Sequence, residues 1–130
     1  MKPIKLRIKT SNHSYPIIIG SNLIKNISKI AEDNLLKFKR CLLVVDTNIS
    51  KKKISVIKSS LKKKDLHVFF FKASEINKNI SSINKILDIL LNKNFSRNDC
   101  LISVGGGITG DVAGFAASLF KRGIKFINIP

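Results

Sequence analysis

"LISVGGGITGDVAGFAASLFKRGIKFINIP", residues 101–130, joins an apolar run, three successive glycines, a small-residue segment and a second apolar run. Leu101 to Val104 reads as a strand, Gly105 to Gly107 as a turn, about Gly110 to Phe120 as a helix, and Lys125 to Ile129 as another strand. That succession is a βαβ unit, whose two strands run parallel. Neither apolar run alternates with polar residues, the pattern of strands covered on both faces.

The same alternation of elements extends upstream. Cys41 to Val45 is a short apolar run, Ile54, Ile57 and Leu61 mark a helix beginning near Ser50, and Leu66 to Phe71 is a further strand. A loop from Lys72 to Asn79 leads to a helix carrying Ile83, Ile86, Leu87, Leu90 and Leu91. The N-terminus follows a different rule: Ile4 to Lys9 alternates apolar and basic residues, Thr10 to Ser14 is turn-rich, and Tyr15 to Ile19 is β-branched, which reads as a hairpin. Gly20 ends it, Ser21 or Asn22 offers a helix cap, and Leu23, Ile24, Ile27, Ile30 and Ala31 recur at helical spacing before a polar connection from Asn34 to Lys39. The expectation is one α/β domain spanning residues 1–130, a mostly parallel sheet entered through an N-terminal β-hairpin.

With 130 residues, 44% of them hydrophobic and 25% charged, the chain suits one globular core, and no apolar run approaches the roughly 20 residues of a membrane span. The N-terminal MKPIKLRIKT lacks the uninterrupted apolar stretch of a secretory signal, so a cytoplasmic location is expected. Cys41 and Cys100 have no CxxC or Cys/His spacing and read as buried reduced thiols. The net charge of +16 invites a nucleic-acid or membrane reading, but only four of the 24 cations are arginine (Arg7, Arg40, Arg97, Arg122). The rest are lysines among many Ile and Asn residues, types that share A/T-rich codons, so drift in base composition explains this surface without a polyanion. Lys51 to Lys53 and Lys62 to Lys64 are then solvated helix ends. A nucleic-acid module would also need an aromatic platform, whereas Phe69 to Phe71 form a core-like trio.

Ligands of parallel α/β sheets bind beyond the carboxyl ends of the strands, so the residues after each run are the candidates. Asp46 and Asn48 follow the first such run, Glu75 and Lys78 the second, and Gly105, Gly106, Gly107 and Asp111 the third. Gly105 to Gly110 satisfies GxGxxG, in which backbone N–H groups approach a pyrophosphate at a helix N-terminus. Here the glycines close a late strand, and the sequence reaches Pro130 about where the ribose-binding acid would fall, so the ordinary dinucleotide fingerprint does not fit. Each candidate has a plainer alternative. The glycines could serve only a tight turn with close helix packing, Asp111 could be a residue favoured by the helix dipole, Asp46 and Asn48 could be turn caps, and Glu75 and Lys78 could be a solvated pair.

Taken together, "YPIIIG", "VVDTNI" and above all "GGGITGDVAGFAASLFKRGIKFINIP" resemble 3-dehydroquinate synthase, and the resemblance covers nearly the whole chain. It implies a Rossmann-like sheet and NAD as cofactor. By resemblance, Asp46 and Asn48 hold the adenosine end of NAD, and Glu75 and Lys78 match a GE-x-x-K loop of the cofactor site in which Ser74 replaces the glycine. Gly106, Gly107 and Ile108 receive the pyrophosphate, and Asp111 contacts the nicotinamide side. Arg122 matches an arginine that reaches the substrate phosphate in a neighbouring subunit, a task suited to a guanidinium; its plainer alternative is a cation at a helix C-terminus.

Such enzymes convert 3-deoxy-arabino-heptulosonate 7-phosphate, a phosphorylated sugar acid, to 3-dehydroquinate and phosphate. NAD oxidises one alcohol, phosphate leaves, the ketone is reduced again and the ring closes. The family's divalent metal, zinc or cobalt, is held by a C-terminal helical domain, which this sequence is expected to lack. Neither His13 nor His67 matches a ligand, and His13 reads as a turn residue and His67 as a strand residue. The 130-residue chain is therefore expected to have no turnover by itself, and a homodimer is implied for the full-length enzyme. The alternatives are a related polyol dehydrogenase or sugar-phosphate cyclase, which would share the glycines, and the nucleic-acid module already weighed.

Overall fold

The computed structural model describes residues 2–130. Along the described chain lie β1 (Ile4–Lys9), β2 (Ser14–Ile19), α1 (Ile27–Asp33), β3 (Arg40–Asp46), α2 (Lys51–Ser60), β4 (Asp65–Phe71), α3 (Ile80–Asn92), β5 (Cys100–Val104), α4 (Gly107–Leu119) and β6 (Lys125–Ile129). Short 3-10 turns occupy Leu23–Asn26 and Phe120–Arg122. β3 to β6 form a parallel sheet in the order β4-β3-β5-β6.

The unbroken apolar runs are explained by position. β3 and β5 are the central strands, and Cys41 to Val45 and Cys100 to Ser103 are fully buried. Their side chains point alternately into two cores. Leu42, Val44 and Leu101 pack with α3 and α4 through Ile86, Leu90, Val112, Ala113 and Ala116. Cys41, Leu43, Val45, Cys100 and Ile102 pack on the other face with Ile27, Ala31, Ile54 and Ile57 of α1 and α2. Each such fully buried Leu or Ile contributes about 1.5–3 kcal/mol by leaving water.

The sheet order fixes where a ligand can enter. From β3 the chain crosses by α2 to β4 on one side; β5 then returns to the other side of β3, and β6 continues outward. The strand order reverses between β3 and β5, which opens a crevice at their carboxyl ends.

Several local expectations are corrected. α4 begins at Gly107, three residues before Gly110, because among Gly105 to Gly107 only Gly105 adopts a positive φ; Gly106 is the extended N-cap. Asp111 consequently lies beyond the first helical turn, where the dipole no longer accounts for it. Neither Ser21 nor Asn22 caps a helix: Asn22 is left-handed (φ 58) without a side-chain cap bond and precedes a 3-10 turn. Lys64 is not a solvated end, since its Nζ donates to the Phe38 carbonyl at 2.8 Å and lies 4.8 Å from the centre of the Phe38 ring. Lys51 to Lys53 are exposed at the start of α2, whose cap is the Ser50 hydroxyl, accepting from the Lys53 N–H at 3.3 Å.

The hairpin does not join the parallel sheet but forms its own two-stranded one. Ile4, Leu6 and Ile8 stand opposite Ile19, Ile17 and Tyr15, so one face is wholly apolar, with Ile4 58% and Ile19 51% exposed. Cys41 and Cys100 are buried free thiols directly opposite each other in β3 and β5. Burial pushes the Cys41 thiol up to about 12 and raises Cys100 as well.

Candidate functional site

Three strand ends meet at the crevice. At the end of β3, Asp46 is half-buried, and its Oδ1 accepts from the Asn48 N–H at 3.0 Å. That Asx turn fixes the carboxylate on one lip and leaves its second oxygen without a hydrogen-bond partner among the described residues. The turn is tied to the neighbouring strand where the Thr47 N–H donates to the Phe71 carbonyl at 3.0 Å.

At the end of β5, Gly105 turns the chain at φ +152 while its N–H remains bonded to the Ile129 carbonyl at 3.1 Å. A Cβ here would stand 2.8 Å from Thr109 Oγ1 and 3.0 Å from the Asp46 Cβ, so only glycine fits. Gly106 and Gly107 differ: nothing lies within 4 Å of the positions their Cβ atoms would take. The space in front of them is open, and packing alone does not demand glycine at either. The first intrahelical bond runs from the Gly110 N–H to the Gly106 carbonyl at 3.0 Å, which leaves the amides of Gly107, Ile108 and Thr109 ahead of the helical ladder. Clear space facing orphan amides and the positive end of a 13-residue helix suits an anionic group such as a pyrophosphate.

The third strand end supplies a braced loop. Asn77 donates through its N–H to Ser74 Oγ at 3.2 Å and through Nδ2 to the Lys72 carbonyl at 2.9 Å, so Ser74 takes part in holding this turn. The plainer alternative for Glu75 and Lys78, a solvated pair, is not what forms. Lys78 Nζ instead meets Asp111 Oδ2 at 3.0 Å, and that carboxylate raises the lysine above its ordinary value. Asp46, Asn48, Glu75, Lys78, Gly106, Gly107, Ile108 and Asp111 thus all lie at the carboxyl end of the sheet.

Arg122 does not. It precedes β6 at the amino end of the sheet, in a left-handed residue (φ 65), and lines a shallow depression with Arg97, Asn98 and Lys125. Its plainer alternative, a cation at a helix C-terminus, also fits this place, since Arg122 ends the 3-10 turn that follows α4. At this same end Arg40 forms a clamp: Nε lies 3.0 Å from Asp65 Oδ2, while the guanidinium donates to the carbonyls of Lys93 and Asn94 and stacks over Phe95. His67 sits in β4 beside Asp65, and His13 in the β1–β2 turn, where its carbonyl accepts from the Thr10 N–H.

Thr109, Ser103 and Asn128 lie in or beneath the glycine turn and were not singled out from sequence. Ser103 and Asn128 are visible there only as single polar residues interrupting two apolar strands. Among the described residues no group of three His, Cys, Asp or Glu side chains is placed to hold a metal ion, and no helix is long and apolar enough to cross a membrane.

Comparison with known proteins agrees with the fold. Residues 68–130 match the family model described as 3-dehydroquinate synthase N-terminal. A 3-dehydroquinate synthase of Pelagibacter ubique is 54% identical over 127 residues, covering 98% of this chain and 34% of that protein. The chain spans about a third of the length of the curated relatives that it matches. Among solved structures, 2-deoxy-scyllo-inosose synthase complexed with carbaglucose-6-phosphate, NAD+ and Co2+ superposes with a TM-score of 0.84 at 21% identity, covering 98% of this chain and 35% of that one. The 2-epi-5-epi-valiolone synthase of Streptomyces hygroscopicus, with NAD+ and Zn2+ bound, gives 0.73 at 21% identity over 95% and 34% of the two chains. In sequence, the chain corresponds to the N-terminal third of 3-dehydroquinate synthases.

Proposed function

We propose that this chain is the cofactor-binding part of a 3-dehydroquinate synthase, which acts in the cytoplasm on 3-deoxy-arabino-heptulosonate 7-phosphate and yields 3-dehydroquinate and phosphate. The observation that carries the reading is the crevice between β3 and β5, with a fixed carboxylate on one lip and clear space before Gly106 and Gly107 on the other. NAD, when bound, supplies the transient oxidation of a substrate alcohol and its later reversal. Asp46 would accept from ribose hydroxyls, with Asn48 beside it at the adenosine end. The amides of Gly107 and Ile108, with Gly106 at the cap, would receive the pyrophosphate. Asp111 would face the nicotinamide side, and Glu75 and Lys78 would border the site on the 72–79 loop. The Lys78–Asp111 pair holds that loop against α4 before any ligand arrives.

The described residues do not fit a divalent metal, so no step is assigned to one here. The placement of Arg122 at the amino end of the sheet, away from the crevice of its own chain, supports a role toward the phosphate in a second subunit of a homodimer.

Calorimetric titration of the 130-residue chain with NAD, alongside Asp46→Ala, tests the reading. Binding by the parent that weakens at least about tenfold in the variant is expected, about 1.4 kcal/mol for a lost charged hydrogen-bond acceptor. No heat from a folded parent would reject it. Incubated with the sugar-acid phosphate and NAD, the same chain should release no phosphate; measurable release would show that turnover needs nothing beyond these residues.

A further inference from the structure

Resting on the dinucleotide reading of the crevice, we propose that Asn128 is a positioning residue for the glycine turn, holding the first turns of α4 at a set height above β6 and so aiming the amides of Gly107 and Ile108. Ser103 is fully buried among the apolar residues of β5, where a hydroxyl needs a partner. It finds one directly opposite in the register: Ser103 Oγ donates to Asn128 Oδ1 at 2.6 Å. The same carboxamide is the floor on which α4 rests. A Cβ at Gly110 would stand 3.1 Å from Asn128 Oδ1 and 3.5 Å from Nδ2.

One turn further along, Gly114 lies over the Phe126 ring, where a Cβ would stand at 3.5 Å. Two glycines four residues apart on the helix therefore face two residues two apart on the strand, the spacings that lay one helix face along one strand face. Of these two contacts, Asn128 is the one nearer the crevice. Its influence passes directly to the turn, because the Gly110 N–H is bonded to the Gly106 carbonyl at 3.0 Å. At the other glycine of the turn, Thr109 and the Asp46 Cβ both occupy the space that a Cβ of Gly105 would take. The turn is thus bounded on the β3 side by Asp46 and on the β6 side by Asn128.

Glycine at 110 is needed on this account because Asn128 lies beneath it. Ala at 110 should lower the melting temperature in the parent, and in an Asn128→Ala background raise it by about 3 °C, as the helix preference for alanine shows through. Independently, the Gly110 amide should exchange about tenfold faster in Asn128→Ala, while Asn128→Asp, which keeps an oxygen for the Ser103 hydroxyl, should restore protection to within about twofold. Should Asn128→Ala not fold, Ser103→Ala removes the same hydrogen bond and takes its place in the exchange measurement. Additive melting shifts together with unchanged Gly110 exchange would overturn the proposal. The NAD affinity of Asn128→Ala, measured by calorimetry, should fall about tenfold with the fold intact, and an unchanged affinity would refute the aiming role. A parent that binds no NAD would defeat the dinucleotide reading alone, while exchange and the paired substitutions would still decide whether Asn128 sets the helix.

Discussion

Gly105 and Gly107 are two residues apart, yet the structure gives them opposite reasons to be glycine. At Gly105 a side chain would be strained at φ +152 and would meet Thr109 and Asp46. Gly105→Ala should cost about 2–4 kcal/mol, read as a drop in the denaturation midpoint. At Gly107, the first residue of α4, no atom obstructs a side chain. Gly107→Ala should leave the fold intact or stabilise it by up to about 1 kcal/mol, while weakening NAD by filling the space before the amides. A Gly107→Ala protein that binds NAD as the parent does would remove the pyrophosphate assignment. At this scale the sequence was legible where a residue type is unusual for its place, as with an acid after a buried strand or three glycines in a row. It was not legible for Asn128 and Thr109. A polar side chain near a strand end, or within the first turn of a helix, is ordinary in a string of letters, and only the distances to Ser103, Gly110 and Gly105 show what each supports.

Periodicity marks the elements, and structure departs from expectation where periodicity is silent. β3 and β5 were recognised because burial on both faces leaves continuous apolar runs. The sequence puts the start of α4 late because glycine marks a turn as readily as the first residues of a helix; a single positive φ at Gly105 completes the turn here. The hairpin was recognised by alternation, but alternation cannot say what covers its apolar face. In the structure β1 and β2 pair only with each other, and a lone two-stranded hairpin is marginal in water. Amides in β1 should therefore exchange at least about 100-fold faster than those of β3, as expected of a separately opening unit. Equal protection in the two strands would mean that the apolar face is covered in solution.

The topology of the whole chain was legible as βαβ order, but the strand order, and with it the crevice, was not. A linear pattern does not reveal that β5 returns to the far side of β3. The charge of +16 also belongs to this scale. Self-repulsion of that size destabilises the compact state, so raising salt from about 0.01 M to about 1 M, which shortens the screening length from about 30 Å to about 3 Å, should raise the melting temperature by about 5 °C or more. A melting temperature indifferent to salt would show that the lysines are too dispersed to repel one another.

The two thiols lie side by side in adjacent central strands, under helices on one face of the sheet. Cys41 and Cys100 are fully sealed although they stand at the amino ends of β3 and β5, and both strands are flanked by strands on either side. An aqueous thiol reagent should meet them both only when the amino ends of these two central strands part. The pace at which the pair is labelled, both sulfurs together, is then a built-in clock for the parting of the central strands, one that local motions of the hairpin or of the 72–79 loop cannot set ticking.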